Sequence, residues 1–171
     1  MGTPVTDERA AFGVERAAIT SGRLVSVAVG DQPGLKKRPI ELGRLVADRG
    51  LEGDRHGGRG PRQLSLLDAA VLEAMRAEDI AVDPGDLGEN LLIAGLPLDS
   101  LAPGTRLRIG AAIVEITGAR PLCGGVRAVD PRALRAMVNR SGQMACVVAT
   151  GEIRPGDAVE PIVEGVATGR L

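Results

Sequence analysis

Hydrophobic and polar side chains alternate along several short segments of the chain. The segments "RLVSVAVG" (23–30) and "IELGRLVADRG" (40–50) both alternate in this way, which is typical of strands with one buried face. A third segment, "RQLSLLD" (62–68), predicts a short strand that ends where a helix begins. The segments "TRLRI" (105–109) and "AIVEIT" (112–117) are separated by a glycine turn, and together they predict a β-hairpin.

Two segments have the pattern of a helix. In "AAVLEAMRAED" (69–79), the preceding Asp68 is a suitable N-cap, because its carboxylate can accept hydrogen bonds from the free N–H groups of the first turn. In "DPRALRAMVNRSG" (130–142), Asp130 is the predicted N-cap, proline occupies the first turn and Gly142 ends the helix. One face of the first helix is apolar, with Val71, Leu72 and Met75.

The closing segment, "QMACVVATGEIRPGDAVEPIV" (143–163), predicts two short strands around a glycine turn, with Cys146 in the apolar part as a core residue. Many short strands with two inserted helices, in no regular alternation, predict a mainly β fold, a small mixed β-barrel. We expect one barrel domain over 22–162, preceded by an N-terminal arm (1–21) and followed by a C-terminal tail (163–171).

Composition narrows the classes of partner. Phe12 is the only aromatic residue among the 171, and the 21 Lys and Arg residues nearly balance the 22 Asp and Glu residues. We therefore expect no nucleic-acid partner, because bases need a basic surface and aromatic stacking platforms. No apolar run approaches ~20 residues, so we expect no membrane span. Cys123 and Cys146 form no CxxC pair, which favours a reduced, cytoplasmic protein.

The first of three polar loops is "GLEGDRHGGRGPRQ" (50–63), which contains the only histidine, His56. Arg55, Arg59 and Arg62 lie among its glycines. Guanidinium groups and glycine N–H groups suit a phosphorylated or otherwise anionic ligand. The alternative is a solvated turn with surface arginines. An imidazole can transfer protons near neutral pH, although a lone histidine is more often structural.

The other two polar loops hold a possible heterocycle ligand and a possible nucleophile. In "PGDLGEN" (84–90), the Asn90 amide can donate to and accept from a heterocycle edge, or the side chains can instead bond their own turn. In "GARPLCGG" (118–125), Cys123 lies close to Arg120 and could serve as a nucleophile or a soft metal ligand. The alternative is a small buried residue. One His and two separated Cys do not make a tetrahedral zinc site.

The motifs taken in order resemble one protein family. The series is "GLEGDRHGG", "RQLSLLD", "PGDLGENLLIAGLPLDSLAPGTRLRIG", "ITGARPLC" and "GEIRPGDAV". It is similar to the MOSC domain, which occurs at the C-terminus of molybdenum cofactor sulfurases and as stand-alone bacterial proteins. The resemblance extends over about residues 22–162 and implies a β-rich, barrel-like fold.

The resemblance also implies a ligand, the molybdenum cofactor (molybdopterin), which is a pterin dithiolene with a terminal phosphate. Cys123 matches the family's molybdenum ligand or sulfur carrier, and His56 matches the histidine of the "GDRH.G" motif. We predict that Cys123 and His56 are catalytic. The chain has no room for the pyridoxal-phosphate-dependent half of a sulfurase, so we expect no pyridoxal phosphate. The residues predicted to bind the cofactor are Arg55, Arg59, Arg62, Gln63, Gly88, Glu89, Asn90 and Arg120.

Three functions follow from this resemblance. The first is a molybdenum-dependent oxidoreductase acting on a small N-hydroxylated or related N–O compound, with electrons from a separate donor protein. The second is a sulfur carrier or transferase, with a persulfide on Cys123 and a separate sulfur-donor protein. The third is a non-catalytic module that binds an anionic ligand. An oligomer is compatible with all three.

Overall fold

The computed structural model describes residues 20–163. Nearly all of the expected arm (1–21) and tail (163–171) therefore lies outside the described residues. Within the described range the chain forms two α-helices, α1 (Ala69–Ala77) and α2 (Ala133–Ala136), and 3-10 helices at Leu98–Ser100 and Gly124–Ala128. The strands are β1 (Gly22–Val29), β2 (Arg38–Ile40), β3 (Gly43–Val46), β4 (Gly50–Leu51), β5 (Leu64–Asp68), β6 (Leu91–Ala94), β7 (Arg106–Ile109), β8 (Ala112–Ala119), β9 (Gln143–Ala149), β10 (Gly151–Ile153) and β11 (Ala158–Ile162).

Seven of these strands close into a mixed β-barrel. Their order is β1-β6-β5-β9-β8-β7-β11, and β11 pairs with β1 to close the ring. The β5–β6 pair is parallel, with Leu66 opposite Leu91, whereas the other barrel pairs are antiparallel. Strand β2 extends the sheet beside β1, and β3, β4 and β10 form a separate three-stranded sheet. The predicted mainly β fold, a small mixed β-barrel, is confirmed.

The barrel interior is filled with aliphatic side chains. Alternate residues of the strands point inward, so β9 buries Ala145 and Val147 while Val148 is exposed. Leu24, Leu66 and Leu107 are among the fully buried members of this cluster. Branched chains without aromatic rings pack at close to crystal density, so the barrel needs no large ring at its centre.

A second apolar cluster lies between the helices and the barrel. Leu67 and Leu92 face outward from β5 and β6, and they pack in one cluster with α1 and with Met137 after α2. The predicted start of α1 is confirmed, since Asp68 accepts a hydrogen bond of 2.9 Å from the N–H of Ala70. The predicted buried face is also confirmed, and it contains Val71, Leu72 and Met75. Among residues 20–163, no helix has both the length and the apolar character needed to cross a bilayer.

Several predicted elements are shorter than the sequence suggested. Segment 40–50, predicted as one strand, is divided among the last residue of β2, all of β3 and the first residue of β4. The turn between β3 and β4 has a positive φ of 59° at Asp48. The closing segment forms three strands, since β10 intervenes between β9 and β11. The prediction that Asp130 caps the second helix is wrong, because α2 has only four residues, its N-cap is Arg132 and no side chain caps it. Asp130 instead accepts a hydrogen bond of 2.7 Å from the N–H of Arg132 in the turn before the helix. The chain leaves the helix soon afterwards, with φ of 61° at Asn139.

The core position predicted for Cys146 is wrong. This residue lies on β9 as expected, but it belongs to the set of side chains that point away from the barrel interior, and it is only half-buried. Alternation along β9 places Ala145 and Val147 inside, so the residue between them must face outward. Partial burial, together with the nearby carboxylate of Glu115, raises the pKa of the Cys146 thiol.

A glycine just before β9 allows the chain to pass close to the backbone of β5. Gly142 has φ of +87°, and a Cβ there would clash with the carbonyl oxygen of Leu66. We predict that Gly142→Ala lowers the free energy of unfolding by about 2–4 kcal/mol, through both backbone strain and the clash. Gly156→Ala is the matched control, because Gly156 also has positive φ (+98°) but open space around it. That control should cost about 1–2 kcal/mol. Urea unfolding measures both, and equal losses would show that the clash is absent.

Candidate functional site

The three polar loops meet around one cavity of about 570 Å³. His56 and Arg62 come from the first loop, Gly88 and Asn90 from the second, and Arg120 and Cys123 from the third. Leu35 and Lys37, from the segment between β1 and β2, also line it, as do Ser65 of β5 and Met144 of β9. Loops that are far apart in the sequence therefore face a single space.

A buried carboxylate, Asp54, ties these loops together. Its Oδ2 accepts hydrogen bonds from the Lys37 Nζ at 2.9 Å, from the Gly30 N–H at 3.1 Å and from the Asn90 side-chain amide. Its Oδ1 accepts from the His56 N–H at 2.9 Å. One side chain thus joins the end of β1, the following loop, the histidine loop and the loop before β6. The site walls are held in register by this carboxylate.

Asn90 serves the same network from the other side. Its Oδ1 accepts from the Ser65 N–H at 3.1 Å, and its Nδ2 donates to the Ala28 carbonyl at 3.1 Å as well as to Asp54. Both amide hydrogens are therefore engaged, and the side chain is 1% exposed. An amide with no free N–H can brace β1, β5 and β6, but it has no donor left for a heterocycle. The structure assigns it a bracing position.

The Asp54–Lys37 pair is electrostatically tight. Burial would raise the pKa of Asp54, but the hydrogen bonds from Lys37, His56 and Gly30 outweigh it and hold that pKa below its usual range. Burial lowers the pKa of Lys37, and the bond to Asp54 only partly opposes this. A buried pair of this kind is costly to break, because the remaining charge has no counter-ion.

A second buried pair of charges lies beside the first. Burial raises the pKa of Glu89, whose Oε1 accepts from the Gly85 N–H at 2.6 Å and whose Oε2 has no partner among the described residues. Burial lowers the pKa of Arg120, and the neighbouring Glu89 and Cys123 oppose that shift. One Arg120 nitrogen, Nη2, donates to the Leu87 carbonyl. The other, Nη1, is buried without a partner among residues 20–163.

The two groups predicted to be catalytic are both accessible. Cys123 is exposed on the cavity wall, and its Sγ accepts a weak hydrogen bond of 3.4 Å from the Gly125 N–H. His56 has a side chain that is 61% exposed, with Nδ1 at 3.4 Å from the Asp54 Oδ1. A thiol and an imidazole therefore face the same space, the first as a ligand or nucleophile and the second as a proton carrier.

The predicted residues divide into three groups by position. Arg55 and Arg59 are exposed but do not line the cavity, and Glu89 lies buried next to it. Gln63 lines the cavity, while its Oε1 accepts from the Val147 N–H at 2.9 Å. Gly88 is a close-packed point with φ of +81°, where a Cβ would lie 2.6 Å from the Leu35 side chain. Seven predicted residues line the cavity: His56, Arg62, Gln63, Gly88, Asn90, Arg120 and Cys123.

Sequence reasoning missed several members of the site. The sequence analysis gives no role to Lys37 or to Asp54, and the cavity-lining Ser65 falls within a predicted strand. A signal for Asp54 existed, since it precedes the only histidine by two residues, the spacing of a turn in which a carboxylate binds the backbone N–H two residues on. Lys37 had no local signal, because its partner is 17 residues away. Ser65 Oγ is buried and lacks a partner within the described range.

A comparison with family models now decides the family. Residues 52–160, well over half of the chain, match the model described as the MOSC domain. The chain belongs to the MOSC domain family. The matched region includes the histidine loop and the Cys123 loop, whereas Lys37 and β1 precede it. No curated protein matches the chain.

Solved structures share the MOSC fold with this chain. The YuaD protein from Bacillus subtilis has a TM-score of 0.73 and 18% identity, covering 82% of this chain and 95% of its own. YiiM from Geobacillus stearothermophilus has a TM-score of 0.68 and 20% identity, covering 85% of this chain and 77% of its own. YiiM from Escherichia coli has a TM-score of 0.63 and 23% identity, covering 83% and 70%. At these identities the likeness establishes the fold.

Breaking the pair under the MOSC cavity should cost stability. We predict that Asp54→Asn lowers the free energy of unfolding at pH 7 by about 3–5 kcal/mol, because Lys37 loses its counter-ion. Since the folded pKa of Asp54 is depressed, its stabilisation is present at neutral pH and is lost as the pH falls below about 4. The variant should therefore lose less stability on acidification than the wild type does.

The control is a double-mutant cycle with Lys37→Met. If the two residues act as a pair, the double variant loses clearly less than the sum of the single losses. Urea unfolding at pH 7 and at low pH provides all of the values. Additive losses, or an unchanged acid dependence in Asp54→Asn, would contradict the pairing.

Proposed function

We propose that this MOSC protein binds the molybdenum cofactor in the cavity and acts as a reductase of small N-hydroxylated or related N–O compounds. The observation that supports this most is the placement of an exposed thiol, Cys123, on the same wall as a buried guanidinium, Arg120, that has an unused donor. Molybdenum accepts a soft thiolate ligand, and an anionic group needs a desolvated donor.

The residues present fit such a group. Among residues 20–163, no cluster of three or more His, Cys, Asp or Glu side chains could hold a metal ion. The protein would therefore offer a single ligand, Cys123, to a metal that arrives with ligands of its own, as it does in a pterin dithiolene. Arg62, Lys37 and Arg120 surround the same cavity, so the wall suits a ligand with negative charge. Ser65 also lines the cavity, and its hydroxyl has no partner among residues 20–163.

Each residue then has a limited role. Cys123 would ligate the metal, and Arg62 and Arg120 would hold the negatively charged part of the cofactor. When bound, the cofactor supplies two-electron redox chemistry. Asp54, Asn90 and Glu89 would keep the wall in shape rather than contact the ligand, because their polar groups are directed into the protein.

The balance of the reaction assigns His56 a task. Reduction of an N-hydroxyl group breaks the N–O bond, consumes two electrons and two protons, and releases the amine and water. His56 lines the cavity and is largely open to solvent, so it can take up a proton from bulk water and deliver it inside. The electrons come from a separate donor, since the chain carries no flavin or iron–sulfur motif.

A second candidate is a sulfur carrier that holds a persulfide on Cys123. The feature that favours it is the exposed Sγ with the Gly125 N–H beside it, because an N–H donor stabilises negative charge on sulfur. A separate sulfur-donor protein would then be required. Under either function we expect the protein in the reducing cytoplasm, where both free thiols would remain reduced.

The two cysteines allow a matched test. We predict that Cys123→Ser, expressed in cells that make the cofactor, loses molybdenum at least about tenfold relative to wild type, while Cys146→Ser keeps it. Metal analysis and pterin fluorescence after oxidation give the cofactor content. Reduction of phenylhydroxylamine and N-hydroxyguanidine by dithionite and a redox dye gives the activity, which should follow the molybdenum content.

Other outcomes select the alternatives. A labile extra sulfur on Cys123, found by mass spectrometry in protein without molybdenum, would favour the sulfur carrier. Ligand binding with neither molybdenum nor persulfide would leave a non-catalytic module for anionic ligands. Full activity in Cys123→Ser would rule out both the thiolate-ligand and the persulfide forms.

A further inference from the structure

The charges of this nearly neutral chain are distributed unevenly around the cavity. Segments 31–38, 55–63 and 120–127 all contribute to its wall. With segment 84–90 and Asp54, which also border the cavity, they hold eight of the 21 Lys and Arg residues and four of the 22 Asp and Glu residues: Asp31, Asp54, Asp86 and Glu89. The net charge of −1 therefore conceals an excess of basic residues around the cavity.

Most of these cations already have a partner or a place in the cavity. Lys37 binds Asp54, Lys36 lies 2.7 Å from the Asp86 carboxylate, and Arg38 lies 2.9 Å from Asp31. Arg62 and Arg120 line the cavity itself. Three cations remain without a role, and they are Arg55, Arg59 and Arg127.

These three, which we name the rim arginines, are exposed. Their guanidinium groups make no ion pair or hydrogen bond with any residue in the range 20–163, and they do not line the cavity. Each lies within three residues of one that lines the cavity, namely His56, Arg62 or Gly125. Exposed cations without counter-ions beside one opening favour an acidic partner that arrives from outside.

An apolar patch lies beside the exposed thiol. Leu122 is 41% exposed, and Pro121 and Gly124 on either side are also exposed. A small apolar centre with charged residues around it is the usual anatomy of a transient protein–protein interface. The feature is less suited to nucleic acid, because no Phe, Tyr or Trp side chain occurs between residues 20 and 163 for bases to stack on.

We infer that the rim arginines and Leu122 form the docking surface for an acidic electron-carrier protein, which brings its redox group over the Cys123 end of the cavity. The inference rests on the proposed reductase function, in which each N–O bond takes two electrons and two protons. A one-electron carrier docks twice per turnover and leaves oxidised each time. Attraction between the rim arginines and its carboxylates speeds the encounter, and the small apolar patch lets it leave.

The binding test uses two acidic carriers as probes, a bacterial flavodoxin and a [2Fe–2S] ferredoxin, with purified wild-type protein. At low salt at least one should bind, and added salt should weaken the complex because exposed charges are screened. The variant Arg59→Glu/Arg127→Glu should bind at least about tenfold more weakly. Arg23→Glu/Arg108→Glu is the control, with the same change in charge on exposed positions of β1 and β7; it should change binding less than about threefold.

A second measurement reads the local charge through Cys123 itself. In a Cys146→Ser background, we compare the rate at which Cys123 reacts with the anion dithiobis-nitrobenzoate and with neutral dithiodipyridine. The ratio of the first rate to the second should be higher for Cys123 than for a free thiol in solution. The Arg59→Glu/Arg127→Glu change should reverse that preference, and the Arg23→Glu/Arg108→Glu change should leave it in place.

Several results would overturn the docking surface. They are no binding of either carrier at low salt, equal weakening by the two charge-reversal variants, or tighter binding of a single-stranded oligonucleotide than of the carriers. Loss of molybdenum from Arg59→Glu/Arg127→Glu would also overturn it, by moving these arginines into the cofactor site. Failure of the proposed function is a separate result, since it is the absence of molybdenum from the wild type, whereas carrier binding and thiol reactivity are measured without turnover.

Discussion

The hydrogen-bonded carboxylate of Asp54 is the contact on which the site depends. It accepts hydrogen bonds from the Lys37 Nζ, from the Gly30 and His56 backbone N–H groups and from the Asn90 side-chain amide. It therefore holds four separate parts of the chain at one point. A buried carboxylate is stable only when such donors surround it. The hydrogen bonds that stabilise this buried charge also fix the histidine loop against the barrel.

The barrel supplies the rigid frame for this arrangement. Closure of β11 onto β1 leaves no free edge within the seven strands, and the aliphatic interior resists compression. Loops that carry chemistry are then attached at fixed points, which is how a scaffold allows exposed groups such as Cys123 to keep their positions. The parallel β5–β6 pair matters here, because the connection through α1 carries the chain to the loop that contains Glu89 and Asn90.

Two kinds of charge surround the cavity, and they differ in burial. Lys37 and Arg120 are desolvated, Lys37 bound to the Asp54 carboxylate and Arg120 to the Leu87 carbonyl, so they act over short distances on a ligand inside the cavity. The rim arginines are solvated, and they attract an acidic partner that approaches to within about a Debye length. A single basic region can therefore serve both a bound anion and a visiting protein, with the degree of burial separating the two tasks.

The sequence by itself determined the elements whose signals are local. Alternation located β1 and the β7–β8 hairpin, Asp68 marked the start of α1, and the ordered motifs led to the family and to seven of the residues that line the cavity. Only the tertiary structure decided which side chains meet. Asp54 pairs with Lys37 across 17 residues and with Asn90 across 36, so no local pattern reveals either contact. Burial, pairing and the pKa shifts that follow are properties of neighbours, and the neighbours are set by the closed barrel.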